Sequence, residues 1–214
     1  NCNIVQDDNW NDSNGLEGII KGFTAKLSND KDNKESDNNL LLNPGYYESL
    51  YLDFLHNKNL IFGNSKKKLE ETAFIVSKLA ERRNSKTQFL IHHGSLSKDT
   101  RESAEEEIKE SNQPVSIFCT STLEMGIDIG AIEKVGIIDP PWSASGFAQR
   151  VGRSGRRTGT SRKFEFLISQ SEINSDSNIS ELLREDLVKS IAIVLLYIEG
   201  FKEPLNIEKP HFST

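Results

Sequence analysis

A chain of 214 residues, 36% hydrophobic and 27% charged, is long enough to bury one ordinary globular core. The absence of any run of about 18 apolar residues excludes a membrane-spanning helix, and Cys2 and Cys119, the two cysteines, lack the spacing of a zinc site or a disulfide framework. A net charge of −6 argues against a protein that coats nucleic acid over its whole surface, but it leaves room for a local basic patch. With no Met at position 1 and no signal-like start, the chain reads as a soluble piece of a longer protein in a reducing, cytoplasmic compartment.

The first 58 residues carry strand-like pieces at Ile19-Ile20 and 23–27 but no regular pattern. Residues 28–39 contain only Ser, Asn, Asp, Lys and Glu, which bury nothing and predict a mobile loop. A short helix is expected over 46–55, after the Asn43-Pro44-Gly45 turn. From position 59 the pattern becomes regular. Leu60-Ile61-Phe62 is an apolar run, and Leu69, Ala73, Val76 and Leu79-Ala80 follow at helical spacing. Phe89-Leu90-Ile91 reads as the next strand. Ser97 is placed to cap a charged helix with Asp99 in its first turn. Further strands are expected at 115–119, 135–138 and 164–168, with a short helix from Ser143 through Arg150. A long amphipathic helix is predicted over 179–199, ended by Gly200. Short, continuously apolar strands alternating with helices predict an α/β fold with a parallel sheet covered on both faces.

In such sheets ligands sit in the loops beyond the strand ends. Gly63-Asn64-Ser65, His92-His93-Gly94-Ser95 and residues 120–128 fall there, and with the arginine run they are expected to form one concave polar edge. That run is Gln149-Arg150-Val151-Gly152-Arg153-Ser154-Gly155-Arg156-Arg157. Between Arg150 and Lys163 there are six basic residues and no acidic one. Guanidinium groups offer a planar fork of donors suited to phosphate, and glycines let backbone come close to it. His92 is expected to pack or hydrogen-bond at its strand end. Trp142, after Pro140-Pro141, is expected to pack against the sheet edge, with base stacking as the alternative. Lys66-Lys67-Lys68 reads as a solvated face and Cys119 as a buried small hydrophobe.

The ordered set resembles the second, C-terminal RecA-like domain of a superfamily 2 DEAD/DEAH-type helicase. Residues 60–65 resemble motif IV, 92–95 motif IVa, 119–128 motif V and 149–156 motif VI, so the likeness covers about 59–170. The strings HHGSLS and TLEMGIDIG are similar to the Lhr-like (large helicase-related) branch, although Arg156 follows the wider superfamily where that branch often has His. The resemblance implies residues 1–58 as an inter-domain connection, 59–170 as the RecA-like domain, and 171–214 as a helix and tail leading towards a further domain.

It also implies roles. Arg153 and Arg156 match arginine fingers, one helical turn apart, and Gln149 matches the residue that couples nucleotide to the opposing domain. Gly126 and Asp128 match the part of motif V that approaches nucleotide. Asn64, Ser65, His93, Gly94, Thr120 and Ser121 match contacts to a DNA or RNA strand. ATP and magnesium are expected mainly on a first RecA-like domain, because this chain contains no GxxxxGK[ST] phosphate loop and no DE-x-H string. A non-catalytic nucleic-acid or partner-binding module on the same fold stays open as the alternative.

Overall fold

The computed structural model describes residues 15–25, 43–121, 129–156 and 159–202, together with the backbone of 2–6. In chain order the elements are β1 (Cys2–Gln6), β2 (Leu16–Ala25), α1 (Pro44–Asp53), β3 (Lys58–Phe62), α2 (Lys66–Arg82), β4 (Gln88–His92) and α3 (Lys98–Glu110). They continue with β5 (Val115–Cys119), β6 (Lys134–Ile137), α4 (Ala144–Val151), β7 (Arg162–Ser171), α5 (Ile179–Leu182) and α6 (Glu185–Ile198). The described strands form one seven-stranded sheet in the order β1-β2-β7-β6-β3-β5-β4. Every pair is parallel except the edge strand β1, which runs antiparallel to β2. The α/β expectation holds.

Period-two alternation within apolar strands explains why both faces are buried. Leu60 and Phe62 of β3, Ile117 and Cys119 of β5, and Phe164 and Phe166 of β7 face one side. There Ile108 of α3, Phe147 and Val151 of α4, and Ile193 and Val194 of α6 cover them. Ile61, Phe118 and Leu167 face the other side, under Tyr46 and Leu50 of α1 and Leu69, Ala73 and Val76 of α2. Cys119 is fully buried, as its strand-end position predicted.

Part of the first 58 residues joins the sheet and its cover: β2 pairs in parallel with β7 along its whole length, and α1 closes one face of the core. The tertiary pairing overrides weak local periodicity, since Leu16 and Ile20 are buried in a core cluster built from strands and helices far along the chain. The single helix predicted over 179–199 is two helices, because Arg184 takes a left-handed conformation at φ 53° and starts α6 anew. The stretch 28–39 and the tail beyond 202 lie outside the described residues.

A buried charge cluster ties the early segment to the sheet. Glu165 of β7 lies 2.5 Å from Lys21 of β2 and 2.6 Å from Lys134 of β6, and Lys21 also meets Asp53 of α1 at 2.7 Å. Burial pushes the Glu165 carboxyl above its ordinary range, against the pull of Lys134. Burial also acts upward on Asp53, but the hydrogen bonds from Lys21 and Ser49 outweigh it and hold that carboxyl low. Such a cluster adds little net stability, because desolvation offsets most of the Coulomb attraction.

Candidate functional site

The carboxyl ends of β3, β5 and β6 meet around Asp139, the second residue after β6. Its Oδ2 accepts from the Asn64 backbone N–H at 2.9 Å, and its Oδ1 takes Lys68 Nζ at 2.5 Å. The Asn64 side chain donates to the Pro140 carbonyl at 2.9 Å and accepts from Arg150 Nη2 at 3.0 Å. Arg150, only 4% exposed, also donates to the Asp139 carbonyl and lies over the Phe62 ring, 5.4 Å from its centroid. Arg150 is thus a brace between loops. Lys68 is no solvated lysine: it neutralises Asp139 and donates to the Ile138 carbonyl. No local sequence signal marked Asp139 or Lys68, because their partners are about 70 residues away.

Alanine at Asn64 removes the acceptor for a buried guanidinium and the donor to Pro140. It is expected to cost about 1.5–3 kcal/mol, read as a fall of roughly 3–10 °C in Tm by thermal denaturation. An unchanged Tm means that this brace does not hold the loops.

The braced loops enclose a cleft of about 260 Å³ lined by Asn64, Thr120, Ser121, Trp142, Ser143 and Gln149, among others. Ser121 and Gln149 are exposed, and Thr120 stands at the end of β5 with its N–H near the His92 carbonyl. Gly94 is exposed in the turn after β4. Ser65 caps α2, its hydroxyl accepting from the Lys68 N–H at 3.3 Å. His93 is 1% exposed, with Nε2 at 2.7 Å from Glu70 and Nδ1 accepting from the Ser95 N–H. Its ring is therefore occupied at both nitrogens and shapes the turn that presents Gly94. His92 pairs with Glu105 at 2.8 Å and is equally buried, as expected for a strand-end histidine. Trp142 corrects the sequence reading: it is 85% exposed and does not pack on the sheet edge.

The arginine run does not join this cleft as a whole. Helix α4, capped by the Ser143 hydroxyl on the Gly146 N–H, runs back along the sheet from the carboxyl edge. It ends at Val151, so Arg153 and Arg156 lie beyond it and do not share one helical face. Ser154 bridges to Ile132 just before β6, and its hydroxyl accepts from the Lys163 N–H at the start of β7. Gly155 holds φ at +62°, and a Cβ there would lie 2.8 Å from the backbone of Ser161 and Arg162. Close approach and positive φ both require glycine. Arg153 is 8% exposed, while Arg156 is exposed, with its Nε donating to the Gly152 carbonyl at 3.3 Å. Arg156 borders a second, larger hollow of about 670 Å³ at the amino edge of the sheet, beside Lys58, Glu133 and Lys163. Burial opposes the Lys163 charge less than the bond to Glu133 favours it, so that ammonium titrates above its ordinary value.

The expected single polar edge is therefore two sites at opposite ends of α4. Gln149 lines the strand-end cleft and Arg156 the other hollow. Gly126, Asp128 and Arg157 lie outside the described residues. Among the described residues no group of three His, Cys, Asp or Glu is placed to hold a metal ion, and no helix is long and apolar enough to cross a membrane.

A parallel sheet with hydroxyl- and glycine-bearing loops at one edge and a glycine-broken arginine run at the other defines the class: a RecA-like helicase domain. The chain belongs to the family described as the helicase conserved C-terminal domain, whose model matches residues 48–158. It is 35% identical over 157 residues to the ATP-dependent helicase Lhr-Core of Saccharolobus solfataricus, covering 71% of this chain and 17% of that protein. It is 35% identical over 120 residues to the Lhr helicase/uracil glycosylase of Escherichia coli, covering 56% of this chain and 7% of that one. The Mycobacterium smegmatis helicase Lhr, solved with single-stranded DNA and AMP-PNP, superposes with a TM-score of 0.66 at 25% identity, over 89% of this chain and 22% of that one. The chain thus spans a small part of the length of its relatives.

Proposed function

We propose that this chain is the second RecA-like domain of an ATP-dependent nucleic-acid helicase or translocase, working with a first RecA-like domain of the same parent protein. The observation that carries this reading is the separation of the two sites along α4: a hydroxyl-lined cleft at one end and an exposed guanidinium at the other. A motor needs both, because strand grip and nucleotide contact must move together when two domains close.

At the cleft, Thr120 and Ser121 present hydroxyls to phosphate oxygens of a DNA or RNA strand, and Gly94, in the neighbouring turn after β4, offers a backbone N–H to the same strand. Such contacts position a backbone without reading bases. Asn64, Ser65 and His93 hold the loops in shape for those contacts. At the other end, Arg156 supplies positive charge to a transferring phosphoryl group, an effect worth roughly 10³–10⁵ in rate where it has been measured. Arg153, buried in the turn between α4 and Arg156, adds a second guanidinium on the nucleotide side of that helix. Gln149, one turn before Gly152, couples the strand cleft to the nucleotide side, with Gly126 and Asp128 completing the approach to nucleotide. ATP with magnesium, held mainly by the first domain, supplies the phosphoryl group and the metal charge.

The chain alone is expected to bind single-stranded oligonucleotide weakly and to show negligible ATP hydrolysis, with or without the strand. Robust, Arg156-dependent turnover by the isolated chain, followed by phosphate release, would sink the proposal that the phosphate cradle lies on another domain.

A further inference from the structure

We infer that Trp142 is a base-stacking platform at the mouth of the strand cleft, so that the chain holds one nucleobase by its face as well as the backbone by its phosphates. The inference rests on the nucleic-acid reading above and goes beyond it in assigning a contact to a base.

Trp142 is the most exposed of the chain's large apolar side chains among the described residues, at 85%. An indole normally gains by burying its large apolar surface, and it has done so nowhere on its own domain. The exposure does not come from a loose loop. Pro140 and Pro141 precede it, both buried, with φ restricted by their rings. The Asn64 amide holds the Pro140 carbonyl at 2.9 Å, and Arg150 holds the Asp139 carbonyl. On the far side, the Ser143 hydroxyl accepts from the Gly146 N–H at 3.0 Å and starts α4. The indole is thus carried on a segment fixed at both ends, so little backbone entropy is lost when a planar ligand settles on it.

The surroundings select the ligand. The cleft beside the indole is lined by hydroxyls and amides, and among the described residues no acidic side chain lines it, although the chain carries a net charge of −6. Asp139, three residues before the indole, is paired with Lys68. Hydroxyl and amide donors next to an aromatic face match a sugar–phosphate backbone with its base stacked alongside. Every base offers a π face, so such stacking is tolerant of sequence and suits a strand that must slide. An apolar protein partner fits less well, since the indole stands among polar groups.

Trp10 and Trp142 are the two tryptophans, so Trp10→Phe leaves Trp142 as the sole indole reporter. In that background, an oligothymidylate of about 12 nucleotides and an abasic deoxyribose-phosphate strand of equal length are titrated separately. The expected result is quenching of the Trp142 emission by the first and not the second. Trp142→Ala then weakens oligothymidylate binding roughly 5- to 100-fold and leaves abasic-strand binding unchanged, while Trp142→Phe retains most of the affinity. Equal loss on both strands, or binding without quenching, overturns the stacking assignment alone. If the Trp10→Phe chain binds neither strand while remaining folded, the nucleic-acid reading and this inference are overturned together. Quenching by an added protein and by no strand reassigns Trp142 to a protein interface.

Discussion

Replacing Arg156 with alanine in the longer protein that carries this domain is expected to lower the rate constant for ATP hydrolysis by about three orders of magnitude. Strand affinity is expected to stay within a few-fold of the parent. The reason is the position of Arg156: it lies exposed beyond α4, at the amino edge of the sheet, whereas the strand cleft lies at the carboxyl edge. In the proposed role its loss removes positive charge from the transferring phosphoryl group, and it leaves Thr120, Ser121 and Gly94 untouched. Lysine at 156 keeps the charge but not the planar fork, and is expected to recover only a small part of the rate. Steady-state ATP hydrolysis with saturating strand, together with strand binding in a non-hydrolysable analogue, separates the two effects. A parallel fall in both means that the arginines act as a basic patch and favours the non-catalytic module.

Phe147 is the position where a single truncation is expected to destabilise the chain most. It is fully buried, stacks on Phe166 with ring centroids 5.8 Å apart, and meets Phe164 and Tyr197 edge-on, each at 5.2 Å. It therefore joins α4 to β7 and to α6, and α4 is the element that carries Gln149 at one site and leads to Arg156 at the other. Phe147→Ala is expected to cost about 3–5 kcal/mol, which for a chain of this size lowers Tm by roughly 6–20 °C. Chemical denaturation measures the loss. Hydrogen exchange at the amides of α4 is expected to accelerate more than at β5, because α4 loses its aromatic anchor while β5 stays inside the sheet. A change below about 1 kcal/mol would show that the core closes over the cavity and that the aromatic cluster is not what seats α4.

The arginine run and the three strand-end loops were legible in the sequence because they are local strings: residue type, spacing and order survive without coordinates. The strands β3 to β6 were equally plain, since continuous apolar runs bounded by turn residues have few alternatives in a chain of this composition. What stayed hidden depends on partners far along the chain. β2 carries weak periodicity and becomes a strand because β7 is there to receive it. Asp139 is one acid among 32 acidic residues until Asn64 and Lys68 are seen to converge on it. His93, expected to touch the strand, is seen only in three dimensions to be enclosed by Glu70 and the turn it shapes. Trp142 was misjudged for the opposite reason: apolar character predicts burial on average, but whether a neighbour exists to bury it is a tertiary matter.

The amino-acid order alone thus settled the chemistry on offer: an α/β sheet, hydroxyl and glycine loops at strand ends, and arginines spaced for phosphate. Only the fold decided where those groups stand relative to one another. A helix that follows a parallel strand must run back along the sheet before the next strand can begin. Motif VI therefore starts at the carboxyl edge with Gln149 and Arg150 and finishes at the amino edge with Arg156. Spacing along the chain could place these residues within one motif. It could not show that α4 divides that motif between two sites, with Arg150 turned inward as a brace and Arg156 left outside for a ligand.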